Sequence, residues 1–218
     1  MNNTVGNTAR LAGAALRALL VLTLICGVVY PLLITGVAQA LFHDKANGSE
    51  VTKDGKVVGS TLYGQPFDLP KKHPQDADEA PRPDPKWFQP RPSAAGPNTV
   101  NTQYSILLSG ASNLGADSKV LKDTVTERRA AYAEFNGVEE RQVPVDALTA
   151  SASGVDPDIS PENARLQAAR VARTNHLDEG RVEQLVKDHT DERTAGFLGE
   201  PHVNVLQLNI ALKDLTRH

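Results

Sequence analysis

Gly110-Ala111-Ser112-Asn113-Leu114-Gly115 has the four-residue gap between glycines that a phosphate-binding loop uses. Such a loop needs a Lys next, to meet the phosphates with charge, and then a Ser or Thr hydroxyl. Ala116 and Asp117 stand there instead. The same stretch misses the G-x-S-x-G spacing of a hydrolase nucleophile by one residue. It reads better as a turn entering a helix, with Asn113 or Asp117 as the cap. Asp156, Asp158, Ser160 and Glu162 alternate like the opening of a calcium loop. Pro161, however, occupies the place of the required glycine and Gln167 that of the bidentate Glu, so turn-making and capping by Asp158 and Ser160 is the simpler role. The six histidines are scattered at 43, 73, 176, 189, 202 and 218, with no H-E-x-x-H among them. A hydrolase would have to pair Ser112 or Ser153 with one of these, and no spacing supports that. The single cysteine, Cys26, excludes a disulfide framework and a Cys-rich metal site. The chain reads as non-catalytic, with no metal site and no firmly held cofactor expected.

The elements that position these residues begin with a membrane helix. Ala18–Phe42 is 25 residues without a charge, where about 20 suffice to cross a hydrocarbon core of about 30 Å. Pro31 inside it predicts a kink. Arg10 and Arg17 are the only charges before the span and Asp44 is the first acid after it, so residues 1–17 are expected in the cytoplasm and 43–218 outside. The alternative is cleavage after the small-x-small triplet Ala38-Gln39-Ala40, which would release a secreted domain, although the apolar run is longer than a signal peptide requires. Residues 43–218 carry 21 basic and 26 acidic residues, a net of −5, which suits neither nucleic acid nor phosphate ligands.

Beyond the span, Asp54-Gly55 between Val51–Lys53 and Lys56–Val58 predicts a hairpin with a two-residue turn, its second strand free to run on through Tyr63. Residues 70–86 form a Pro-rich polar loop; Pro70–Pro92 holds seven of the fourteen prolines. Trp87-Phe88, beside Arg91-Pro92-Ser93, is an anchor, either to the domain's own core or to a partner. A helix is expected over 117–135, with Leu121, Val125, Arg128, Tyr132 and Phe135 on one stripe and Gly137 ending it. Gln142–Val145 is expected as a short edge strand. Ser160-Pro161-Glu162 starts a helix running to about Thr174, and another follows Asp178 with Val182, Leu185, Val186 and His189 on one side. Val203–Ile210 alternates like a half-buried strand. The fold class is α+β: one N-terminal transmembrane helix, then a single small extracytoplasmic mixed domain.

These blocks resemble a family, the C subunit of the Kdp-type potassium-transporting P-type ATPase. The resemblance is carried by Tyr30-Pro31 closing an Arg-flanked span, GSTLYGQ at 59–65, WFQPRPSA at 87–94, SNLG at 112–115, SASGVDPDIS at 151–160 and LGEPHVNVLQLN at 198–209. Family members usually carry glycine at the position of Ala152, so a strained turn is expected there if that glycine has positive φ. The polar loop 71–84 looks like an insertion. The resemblance implies an accessory, non-catalytic subunit in the cell membrane. Its partners would be a channel-like potassium-binding subunit, a P-type ATPase catalytic subunit and the lipid bilayer, with ATP and K⁺ used by the complex. It further implies a catalytic chaperone that raises the ATPase subunit's affinity for ATP. Because the derived topology puts the soluble domain outside, an assembly role over the potassium entrance is the leading expectation and direct ATP binding the alternative. The candidate interface or turn residues are Tyr30, Pro31, Trp87, Phe88, Arg91, Ser93, Ser112, Asn113, Asp156, Asp158 and Ser160.

Overall fold

The computed structural model describes residues 4–73, 75–76, 79–97 and 107–217. His218 among the histidines and Pro74 in the polar loop lie outside the described residues. The chain divides into two compact units, Met1–Glu50 and Val51–His218.

In the first unit, α1 (Thr4–Leu24) and α2 (Tyr30–Leu41) are joined by a π turn, Ile25–Val29, and followed by the single turn α3 (His43–Ala46). Gly6–Leu41 is long and apolar enough to cross a membrane, and none of its most apolar window is buried by protein. The π turn lies just before Pro31, where a kink is expected. Pro31 has no N–H to donate back to Gly27, and its ring would press on that carbonyl. One widened turn avoids this, with Tyr30 N donating to Ile25 O, five residues back. Asn47 and Gln39 exchange two side-chain amide bonds of 3.1 Å below the helix end.

In the second unit, β1 (Glu50–Lys53) and β2 (Lys56–Ser60) form the expected hairpin. Asp54 and Gly55 both have positive φ, 52° and 75°, as a type I′ turn demands. The second strand does not run on. Residues 60–63 close into a turn, with Leu62 N on Ser60 Oγ at 3.1 Å and Tyr63 N on Ser60 O at 3.3 Å. Short β3 (Gly96–Pro97) and β4 (Leu107–Leu108) pair antiparallel. Helix α4 (Lys119–Asn136) ends on left-handed Gly137 as expected, but its cap is Ser118, whose side chain accepts from Leu121 N, rather than Asn113 or Asp117. All five residues of the expected stripe are half-buried, and the helix's buried residues are Ala133 and Asn136, next to Tyr132 and Phe135. Gln142–Val145 is not a strand: 3₁₀ turns at Glu140–Gln142 and Val145–Ala147 flank it and bury Val143 against Ala133, Ala147 and Leu148.

Helix α5 (Pro161–Asn175) starts on Ser160, which accepts from Asn163 N, and α6 (Glu179–Asp188) on Asp178, which accepts from Arg181 N. Strands β5 (Asp158–Ile159), β6 (Thr190–Asp191) and β7 (His202–Asn204) make an antiparallel sheet with β7 in the centre, Val203 opposite both Ile159 and Thr190. The main core is Val171, Val182, Val186, Val203, Leu208 and Leu212 with Ala164, Ala168 and Phe88.

The expected strand over 203–210 is corrected. Only Val203 and Asn204 belong to β7, and α7 (Val205–Leu215) follows at once. The Asn204 side chain accepts from Gln207 N at 3.2 Å and opens the helix. Val205, Leu208, Asn209 and Leu212 then share the buried face at helical spacing. The alternation misled because Asn209, polar but buried, looked like an outward residue. Its Oδ1 accepts from Phe88 N and its Nδ2 donates to Phe88 O, both at 2.9 Å. Asn209→Leu keeps the volume but leaves both backbone groups unpaired. Urea denaturation should show it destabilised by about 2–4 kcal/mol, whereas an outward strand residue would tolerate the change.

Candidate functional site

Three of the sequence blocks, GSTLYGQ, WFQPRPSA and SASGVDPDIS, meet at one corner of the second unit. Gly64, from GSTLYGQ, lies against SASGVDPDIS: Gly64 N donates to Val155 O at 2.8 Å, and a Cβ on Gly64 would stand 2.3 Å from Asp156 O. Gly154 has φ of 71°, and a Cβ there would meet Gly110 O at 2.6 Å and Ala95 N at 2.8 Å. Ala152, by contrast, is not among the residues with positive φ, so the strain expected from its substitution for glycine is not present. The demanding glycine of that turn is Gly154.

Arg91 Nη1 pairs with Asp156 Oδ2 at 2.9 Å while Nη2 reaches Thr149 O at 3.4 Å. Asp156 Oδ1 accepts from Asp158 N at 3.1 Å, closing a local turn. Ser93 Oγ donates to Gly154 O at 2.5 Å and accepts from Ala95 N at 3.0 Å. Ser160 donates to Asp146 through both N and Oγ, at 2.8 and 3.0 Å, and caps α5. Asp158 Oδ1 accepts from Asn204 Nδ2 at 3.1 Å, and His202 Nε2 lies 3.9 Å from Oδ2. Burial raises the Asp158 carboxyl above the usual carboxylate range; His202 opposes the shift, while Asp156 and Asp191 reinforce it.

Phe88 is fully buried in the core, and Trp87 is half-buried, its ring 6.3 Å from that of Phe67. Ser112 and Asn113 are exposed, Asn113 with φ of 52°, and neither lines the cleft described below. Their loop is pinned behind them, where Gly110 N and Ser109 Oγ both donate to Ser153 O at 2.8 Å. Tyr30 and Pro31 sit on the apolar helix in the other unit, Tyr30 exposed.

Sequence reasoning passed over a buried polar hub. Gln167 Oε1 accepts from Gln89 N at 2.7 Å, and its Nε2 donates to Gln89 O at 3.1 Å and to Asn163 Oδ1 at 2.9 Å. Arg170, 2% exposed, donates to Pro85 O, Trp87 O, Asn136 Oδ1 and Gln167 Oε1 and lies 4.4 Å over the Phe135 ring. Its burial lowers the guanidinium pKa to about 10. Tyr132 donates to Asn163 Oδ1 at 2.8 Å, and burial pushes its phenol well up. Two signals pointed to the hub: Gln89 and Asn209 lie inside the quoted blocks, and Gln167 is an amide on the inner face of a well-marked helix.

Beside this hub opens a cleft of about 950 Å³, walled by Pro66, Pro81, Pro83, Pro90 and Pro92 with Tyr132 and Phe135. Its ionisable lining is Asp68, Glu134, Asp156, Tyr132 and Arg91. Burial raises the Asp68 carboxyl. Arg91 is the one cation among the described lining residues, and it is engaged by Asp156. The surroundings are thus acidic, and among the described lining residues no nucleophile is held by a base.

The family model described as KdpC, K+-transporting ATPase, c chain, matches residues 12–214. A Streptomyces avermitilis protein named Potassium-transporting ATPase KdpC subunit is 57% identical over 221 residues, covering 99% of this chain and 98% of its own. A protein of the same name from Streptomyces coelicolor is 54% identical, covering 99% and 97%. One from Kineococcus radiotolerans is 48% identical, covering 98% of each chain.

Two outcomes follow from the packing. Gly64→Ala forces backbone apart and should cost about 1–3 kcal/mol by urea denaturation, without altering the apolar N-terminal helix. For Asp158, the folded carboxyl holds its proton more tightly than the unfolded one. The stability it contributes is therefore present at low pH and is lost as pH rises through the raised value. Asp158→Asn, which can still accept from Asn204, should flatten the fall in melting temperature of the wild type just above the ordinary carboxylate range.

Proposed function

This chain belongs to the KdpC family, and on that premise we propose that it is a single-pass accessory subunit of an ATP-driven potassium uptake complex. In this reading the N-terminus is cytoplasmic, the second unit is extracytoplasmic, and that unit sits over the potassium entrance of a channel-like subunit. A P-type ATPase subunit hydrolyses ATP, and this chain raises that subunit's affinity for ATP by stabilising the assembled complex.

The observation that carries the proposal is the contrast between the two units. None of the most apolar window of Gly6–Leu41 is buried by protein, so the helix needs lipid or other helices. The following domain buries a core of its own and ties its polar blocks together through backbone contacts. Direct ATP binding by this chain is the weaker reading. The cleft presents Asp68 and Glu134 to any phosphate, and its single Arg is already paired. Potassium is cargo of the complex in this reading, and the net −5 charge of residues 43–218 favours cations at the outer surface.

The test is mild-detergent purification of the C-terminally tagged chain from potassium-starved cells, with mass spectrometry of what accompanies it. A multi-span channel-like protein and a P-type ATPase should be recovered in comparable amounts, and deleting residues 43–218 should abolish uptake at low external potassium. A lone full-length chain, or a soluble fragment beginning after Ala40, would overturn the reading.

A further inference from the structure

The turn after β6 holds two large apolar side chains in water. Phe197 is 71% exposed and Leu198 55% exposed, and neither belongs to a core cluster. They are not on a loose loop. Thr194 N donates to Leu198 O at 2.9 Å and Leu198 N returns to Thr194 O at 3.0 Å, a closed antiparallel bridge. Gly196 N donates to Arg193 O at 3.0 Å. Arg193 and Glu200 brace the base of the turn with an ion pair of 2.5 Å. Ala195 has φ of 54°, a left-handed backbone that a residue with a Cβ seldom adopts, and Gly196 and Gly199 both have φ of 82°. Strain of this kind persists where the surroundings fix it, and here they fix an aromatic and a leucine outward. A side chain already held in its bound geometry loses less freedom on docking, which is what an anchor residue requires.

The collar of the turn says what it fits. Asp191, Glu192 and Glu200 surround Phe197 and Leu198 in sequence against the single Arg193. His202, also near, lies 3.9 Å from Asp191. An acidic collar opposes anionic lipid headgroups, and two side chains offer far less apolar area than an interfacial helix. It complements a protein pocket whose floor is apolar and whose rim carries Lys or Arg.

We propose that the Phe197–Leu198 turn is a docking knob for a basic-rimmed apolar pocket on the outer face of the multi-span channel-like subunit of the complex. This rests on the subunit reading given above and names the contact through which the outer domain engages its partner.

The experiment places the photo-crosslinker p-benzoylphenylalanine at position 197 of the full chain in the detergent-purified complex, with the same probe at exposed Val120 on α4 as control. Irradiation should join position 197 to the multi-span subunit, identified by mass spectrometry, in at least tenfold excess over position 120. The double substitution Phe197→Asp, Leu198→Asp should reduce recovery of that subunit at least tenfold with an unchanged melting temperature. Adducts with lipid alone, or no excess over the control, overturn the knob. So does undiminished recovery with the double variant while the wild-type complex forms normally. A wild-type chain that recovers no membrane subunit overturns the subunit reading itself, and the knob with it.

Discussion

The soluble domain depends on how residues 85–89 are held. This strap crosses the main core with Phe88 inserted, yet among the described residues no strand pairs with it. Side chains do so instead. Asn209 from α7 pairs both polar groups of Phe88, and Gln167 from α5 pairs both of Gln89. Arg170 and Asn175, also from α5, take the carbonyls of Pro85, Trp87 and Lys86. A primary amide offers a donor and an acceptor side by side, so it can stand in for a neighbouring peptide. Buried networks of this kind are rigid when complete and costly when one member is lost. Helices α5 and α7 are thereby bound to the strap that forms one edge of the cleft.

The charge of Arg170 belongs to the same arrangement. It is buried with four oxygens and an aromatic face, but none of its bonds is to a carboxylate. Carbonyl and amide oxygens and the Phe135 ring contact it directly, Asp84 acts on it only through space, and desolvation outweighs them to leave the pKa lowered. A carboxylate partner would fix one point of contact. Dispersed carbonyls fix the path of a whole segment, and that path sets where Arg91 and Ser93 emerge.

What the sequence made legible follows from local physics. Ser160-Pro161, Asp178 and Gly137 mark helix ends because their side chains or backbone freedom act within a few residues, and Asp54-Gly55 marks the hairpin for the same reason. Strands two or three residues long, such as β5, β6 and β7, have too few positions to show a period. The block around Asn209 and the helical position of Gln167 singled them out, but not as core residues, because burial of an amide depends on a backbone partner 121 or 78 residues away in sequence. The corner itself was visible only as separate blocks. Their meeting requires Gly64 and Gly154 to let two backbones touch, and a glycine's type does not announce which backbone it touches.

The π turn in the apolar helix has a consequence for how that helix meets its neighbours. A widened turn adds one residue without adding a turn, which rotates everything beyond it by about 100° relative to a continuous α-helix. A stripe of side chains running up α1 therefore does not continue as the same stripe along α2. The helix carries two faces at two depths, offset around its axis at Ile25–Val29. One span can then lie against one neighbour along its first half and another along its second, joining two helices that never touch each other.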